Sequence, residues 1–339
     1  MRRFALLVVF LFFFIGFFSC GKNDDVTMDF PIVNLEDSIT QDSSKPSYKD
    51  SSEFIYIFGD IQYYTNSRYI SIYEKSLDWI ADQIHNGKQV KCVLHTGDIT
   101  QSNSVSQWKQ FKGAMQEITK LVPYFSMIGD HDYTWYDGRY IDDRKDTHFN
   151  EYVNYPLSTN KVVAWFEEGR MENVVVEITI HDQPLYLLIL EFGPRPEVVS
   201  WANEYVHIHS DMQFILLNHR YLENGGGRRI QGYMYRFRTT TNTTPDKLWN
   251  QLIRCNDNIL CVLCGHVGGL YAIYLEENDL GREVPQIQHN IQGSSYRYDN
   301  WLMQWEFPAN DDSVNVSIIN TKTLKFYNDN PTLFRFRYR

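Results

Sequence analysis

Five short segments of this chain combine carboxylates, imidazoles and amides: Asp60-Ile61-Gln62, Gly97-Asp98, Gly129-Asp130-His131-Asp132, Asn218-His219 and Gly265-His266-Val267-Gly268. Each follows an apolar run, so each brings its polar side chains to the end of an expected strand. Asp oxygens and neutral His nitrogens suit hard or borderline divalent ions, and one shared carboxylate can bridge two of them. Asp98 is the candidate bridge. Two ions about 3.5–4 Å apart can acidify a water and clamp the attacking and leaving oxygens of a phosphate ester, so these residue types imply phosphoester hydrolysis. A single Asp at a strand end is more often a turn or cap residue, and it is the ordered series of five that carries the reading.

The elements that must position these segments follow from periodicity. Phe54–Phe58 is a short β-rich run; residues 70, 73, 77, 80 and 84 then repeat at helical spacing. Val90–His95 reads as a strand, Trp108, Phe111, Met115 and Ile118 mark a helix, and Val122–Ile128 reads as a further strand. Such alternation predicts an α/β layer of parallel type, in which working residues lie beyond the carboxyl ends of strands. The second half predicts strands at Val174–Ile180 and Leu185–Glu191 around an Asp182-Gln183-Pro184 turn, and a helix from Pro196 to His207. It continues with a strand from Met212 to Leu217, a helix started by Thr244-Pro245 and running to Arg254, and a strand from Ile259 to Cys264. Short β runs follow at 270–275, 285–291, 301–307 and 314–319, and Phe334–Tyr338 ends the pattern.

The 339 residues, 43% hydrophobic and 15% aromatic, suffice for one large enzyme-sized domain, expected over residues 53–339. Residues 1–19 have the layout of a bacterial lipoprotein signal: Arg2 and Arg3, an apolar run from Phe4 to Phe18, then Ser19-Cys20. Cys20 is the expected lipidated residue. Phe17 and Phe18 depart from the usual lipobox, and an uncleaved membrane anchor is the alternative. Residues 20–52, rich in Ser, Asp and Lys, are expected to form a flexible tether, which places the catalytic part in the bacterial cell envelope, lipid-anchored on the periplasmic side or at the surface. The net charge of −10 becomes −12 once residues 1–19, which hold two arginines and no acid, are removed. That balance argues against nonspecific nucleic-acid binding. Cys261 and Cys264, three apart in an expected strand, point to opposite faces and are poorly placed to share an ion; buried thiols are the favoured reading, with a Cys255–Cys261 bridge as the alternative.

In its ordered motifs the chain resembles the calcineurin-like metallophosphoesterase superfamily, over about residues 53–320, and within it an extracytoplasmic lipoprotein branch with Gln in the first metal motif. The resemblance implies a four-layer α/β/β/α sandwich. It implies that Asp60 holds a first metal, that Asp98 bridges, and that Asp130, His219 and His266 hold a second. His131 would face the substrate and assist the leaving oxygen, with Asp132 orienting its imidazole.

Three positions depart from the family pattern. Gln62 stands in place of His, Asp130 in place of Asn, and Gly268 in place of the final His. The second site keeps four ligands and gains a charge, while the first keeps Asp60 and Asp98 with at best an amide oxygen from Gln62. The expectation is one tight and one weaker divalent ion among Mn, Fe, Zn or Mg. His289 could approach the metals in place of the lost ligand, whereas His85, His148, His181, His207 and His209 are not expected to be ligands.

Two loops follow metal motifs directly: Tyr133–Asn154, with Trp135, Tyr136, Tyr140, Arg139 and Arg144, and Glu223–Thr243, with Arg228, Arg229, Arg236 and Arg238. Arg139, Arg228 and Arg229 are candidate phosphate binders, and the aromatics could stack on a sugar or base. The alternative is that these arginines pair with surface acids. The leading expectation is a metal-dependent phosphoesterase acting on a mono- or diester outside the cytoplasm. The alternative is a weakly active or inactive metal-containing lipoprotein that captures a phosphorylated ligand.

Overall fold

The computed structural model describes residues 52–338 apart from 67–68, 139, 142, 224–225, 229–235, 239 and 293–296. The lipidation position Cys20, the expected signal and nearly all of the tether lie outside the described residues, as do Arg139 and Arg229.

Two seven-stranded sheets and flanking helices form the expected mixed α/β layers. The first sheet runs in the order Lys325–Phe326, Ser313–Asn320, Trp301–Phe307, Glu53–Phe58, Gln89–His95, Tyr124–Ser126, with Phe334–Arg337 also paired to Ser313–Asn320. Its three N-terminal strands are parallel, as the strand–helix alternation requires, and Trp301–Phe307 joins them antiparallel. The second sheet is ordered Tyr271–Glu277, Glu283–His289, Ile259–Cys264, Phe214–Asn218, Gln183–Leu190, Val174–Ile180, Val162–Trp165. Its four central strands, from Glu283–His289 to Gln183–Leu190, are parallel.

The continuous apolar runs of the second sheet arise because both its faces are covered. Ile215, Leu217, Cys261 and Leu263 point into the core shared with the first sheet; Phe214, Leu216, Val262 and Cys264 point outward, toward a second core with helix Pro196–Ile208. Cys261 and Cys264 thus occupy opposite faces, and Cys92, Cys255, Cys261 and Cys264 are all free thiols. Helix Ile70–His85 buries Tyr73, Leu77 and Ile80, the predicted stripe, in the first core.

Some boundaries differ from the sequence reading. Ile180 pairs with Gln183, so the hairpin turn is His181-Asp182, whose φ values of 47° and 60° are those of a two-residue turn matching strand twist. The helix marked by Trp108 and Ile118 is two, Val105–Ala114 and Ile118–Leu121, both burying their apolar positions on the same core. Thr244 caps the helix Pro245–Leu248 by accepting from the Lys247 amide, and a wider π-turn carries the chain from Trp249 to Ile253.

Candidate metal centre

All five motifs meet where parallel strands end. Asp60 follows Glu53–Phe58, Asp98 follows Gln89–His95, Asp130 follows Tyr124–Ser126, His219 follows Phe214–Asn218 and His266 follows Ile259–Cys264. One donor atom each from Asp98, Asp130, His219 and His266 lies within 4.8 Å of all the others. His219 Nε2 is 3.3 Å from Asp98 Oδ1 and 3.4 Å from Asp130 Oδ1; His266 Nδ1 is 3.0 Å from Asp130 Oδ1 and 3.2 Å from His219 Nε2.

Such closeness demands special backbone. Asp98 (φ 52°) and His266 (φ 68°) adopt the left-handed conformation that non-glycine residues rarely hold, a strain common at functional sites. Two glycines make room. A Cβ on Gly97 would sit 2.6 Å from His219 Nδ1, and one on Gly129 would strike the carboxylate and amide of Asp98. The Gly-Asp pairs of the sequence are therefore a packing requirement of the cluster itself.

The donors fit a divalent cation. Both Asp130 oxygens are buried without a hydrogen bond, facing only imidazole nitrogens among the described residues. Burial opposes ionisation there, yet His266, His219 and His131 hold the Asp130 carboxyl well below the usual range. His219, likewise against burial, is driven well above its ordinary value by Asp98 and Asp130. The acids thus draw positive charge into a largely buried site, which a bound ion satisfies better than a proton. The Thr96 carbonyl accepts from His219 Nδ1 at 2.6 Å, which turns Nε2 toward the carboxylates.

Asp60 stands outside this group of four. Its Oδ1 accepts from the Thr96 hydroxyl at 3.2 Å and the His266 amide at 3.3 Å, and its Oδ2 from Asn290 Nδ2 at 2.9 Å. Burial pushes its carboxyl well above the usual range; His219 opposes the shift and Asp98 adds to it. Gln62 is fully buried, and neither atom of its amide has a hydrogen bond.

His131 borders the cluster. Its amide donates to Asp98 Oδ1 at 3.1 Å, its Nδ1 faces the Gln101 carbonyl at 2.8 Å, and its Nε2 lies 3.9 Å from Asp130 Oδ2. Trp135 backs the imidazole at 5.4 Å and donates its indole N–H to the Asp130 carbonyl. The expected pairing of Asp132 with this imidazole is corrected: the Asp132 carboxylate accepts from the amides of Gly129, Ile99 and Thr100. It pins the Asp98 and Asp130 loops together, because its side chain turns back into the base of its own 3-10 turn.

His289 does not replace the ligand absent at Gly268; it is buried with Nδ1 facing the Leu270 carbonyl. His95 receives the Gly97 amide on Nδ1 and so shapes the turn before Asp98. Arg228 is also corrected: its guanidinium pairs with Glu276 and stacks 4.5 Å from the Trp249 ring, the ion-pair alternative for these loops. Arg144 likewise binds the Phe192 and Gly193 carbonyls and pairs with Glu191. Thr96, Gln101 and Asn290 were missed by the sequence reading. Two of them act largely through carbonyl oxygens, which carry no sequence signal, whereas Asn290, a polar residue just past a strand end, had one.

The sequence pattern of the family described as calcineurin-like phosphoesterase matches residues 55–293, and all of these motifs fall inside it. The chain belongs to that family. It is 28% identical to the uncharacterized protein YvnB of Bacillus subtilis (strain 168) over 305 residues, which are 87% of this chain and 22% of YvnB. Over 93 residues, 26% of the chain, it is 34% identical to Probable inactive purple acid phosphatase 24 of Arabidopsis thaliana, covering 15% of that protein. The chain therefore spans less than a quarter of the length of these curated relatives. A solved structure of a predicted phosphoesterase from Streptococcus pneumoniae TIGR4 aligns with 81% of this chain and 93% of its own, at 10% identity and a TM-score of 0.31.

Proposed function

We propose that this phosphoesterase-family chain is an active, metal-dependent hydrolase of phosphomonoesters or phosphodiesters, lipid-anchored through Cys20 in the bacterial cell envelope, on the periplasmic side or at the cell surface. The observation that carries the activity is the convergence of Asp98, Asp130, His219 and His266, with His131 at its edge. A divalent ion held there supplies Lewis acidity toward phosphoryl oxygen and toward an attacking water. The chain does the rest. Asp98, the best-placed shared carboxylate, orients the ligands around it, and the partly exposed His266 and His131 mark the side from which ester and water enter. The Gln101 carbonyl holds the proton of His131 at Nδ1, which leaves Nε2 as the atom that exchanges a proton with the departing oxygen.

The weaker ion of this proposal rests on Asp60, Gln62 and Asp98. The unpaired, fully buried Gln62 amide supports it, while the glycine at 268 supports a second reading in which the protein binds a phosphorylated ligand and turns it over poorly. The deciding experiment is hydrolysis of an aryl phosphate and an aryl phosphodiester by metal-stripped protein refilled with Mn, Mg, Zn or Ca, beside Asp98→Ala. Metal-dependent turnover lost in the variant is the expected result. Folded wild-type protein that turns over neither ester with any metal would leave the binding reading standing.

A further inference from the structure

Among the described residues the exposed aromatic side chains are four tyrosines, Tyr63, Tyr136, Tyr140 and Tyr298, with no phenylalanine or tryptophan; the other exposed large hydrophobics are aliphatic, such as Leu280 and Ile208. All four lie on segments adjoining the metal motifs. Tyr63 is three residues past Asp60, Tyr136 and Tyr140 follow Asp130, and Tyr298 lies past Asn290, the residue that donates to Asp60. Exposed apolar side chains scattered singly are ordinary, whereas those gathered into patches mark recognition sites.

The tyrosines form two patches. In one, Arg297 lies 4.9 Å from the Tyr63 ring and 5.8 Å from that of Tyr298, and Tyr69 packs 4.6 Å from Tyr298. In the other, Arg238 lies 4.2 Å from the Tyr136 ring, next to Trp135 behind His131, and the Tyr136 amide donates to the Tyr140 carbonyl. The strand order puts the segments that carry Tyr63 and Tyr136 on either side of the strand that delivers Asp98. Gln89–His95, which delivers Asp98, lies between Glu53–Phe58, which delivers Tyr63, and Tyr124–Ser126, which delivers the Tyr136 loop. Asp98 joins both neighbours, accepting from the Ile61 amide on its carbonyl and from the His131 amide on its carboxylate.

We propose that these patches are paired subsites for planar rings on the two ester groups of a phosphodiester. This deepens the phosphoesterase reading and rests on it. A monoester has one ester group and would leave one patch unused. Because His131 assists the leaving oxygen, the Tyr136 patch takes the ring of the leaving group and the Tyr63–Tyr298 patch the ring that remains. Arg238 beside Tyr136 and Arg297 beside Tyr63 and Tyr298 give each patch a cation for the diester anion without placing it among the metal ligands.

The test uses full-chain, Mn-loaded protein with bis(nitrophenyl) phosphate, methyl nitrophenyl phosphate and nitrophenyl phosphate. The diaryl ester should show the lowest KM. Tyr298→Ala should raise KM for the diaryl ester about three- to tenfold, the worth of one ring contact, with little change in kcat. The KM ratio between methyl aryl and diaryl esters should then fall toward one, whereas Tyr136→Ala should raise KM for both diesters. Equal wild-type KM values for the two diesters, or variants without these substrate-specific shifts, would overturn the proposal. If no ester turns over, the hydrolase reading fails separately, and calorimetry of diphenyl phosphate binding decides the subsites. Weaker binding by Tyr298→Ala sustains them; binding that is equal to wild type, or absent from both proteins, refutes them.

Discussion

The two halves of the centre start from similar motifs and end differently. Around Asp130, four ligand residues converge with unbonded carboxylate oxygens facing imidazole nitrogens. Around Asp60, the carboxylate is already hydrogen-bonded to Thr96, His266 and Asn290, the neighbouring ligand position is an amide, and the last one is glycine. The Asp130 half needs a cation to settle its charge; the Asp60 half has largely satisfied its acid without one. Metal affinity in such a centre follows from which carboxylates the protein leaves without hydrogen bonds, more than from how many acids lie nearby.

Several experiments break or sharpen this contrast. Asp130→Ala should have the largest effect, weakening retention of the tightly held ion by about 100-fold or more, read as metal content after dialysis. Asp60→Ala should cost far less in the same assay; equal losses would erase the distinction between the halves. Gly129→Ala, which drives a methyl group into Asp98, should destabilise the fold by about 2–3 kcal/mol in urea unfolding and loosen the same ion.

Acid should act on both halves through two buried imidazoles. Burial holds His95 down to about 3 and His289 to about 4, so both are neutral in the folded chain. Their contribution is fully present above the ordinary histidine value near 6.5 and is lost as pH falls from there toward 4 and 3. The loss is roughly 1.4 kcal/mol per group for each pH unit through that window. Urea midpoints of metal-free protein at pH 7 and pH 5 measure it, and the loss should shrink in His289→Gln; an unchanged pH slope would contradict the assignment.

The smallest effect is the most informative about the weak half. Gly268→His should raise affinity for a second ion by roughly tenfold, seen as an increase from one to two ions per chain in metal analysis. Two ions held tightly by the unmodified protein would show that the weak half was misread.

Much of the centre was legible because its signals are local. Apolar runs of strand length ending in Gly-Asp, Asp-x-Gln or Gly-His can be read within a few residues, and the predicted strands before Asp60, Asp98, His219 and His266 are all present. The role of Asp132 was not legible, since its neighbour in sequence is His131 while its partners are the amides of Ile99 and Thr100 across a loop, and Gly129. The same holds for Asn290, whose contact with Asp60 spans 230 positions. Arg228 shows the converse: its position after a metal motif suggested phosphate, and only the packing of strand Tyr271–Glu277 beside it revealed Glu276 as its partner.

The sequence by itself determined most of the order of strands and helices, the residue types at each strand end and the three departures from the family pattern at Gln62, Asp130 and Gly268. These depend on side-chain polarity and spacing, which the chain carries locally. Only the tertiary structure decided which carboxylate oxygens go without a hydrogen bond, which carbonyls aim the imidazoles and which tyrosines gather into patches. Those outcomes depend on main-chain groups and on contacts between distant segments, which exist only once the two sheets have packed.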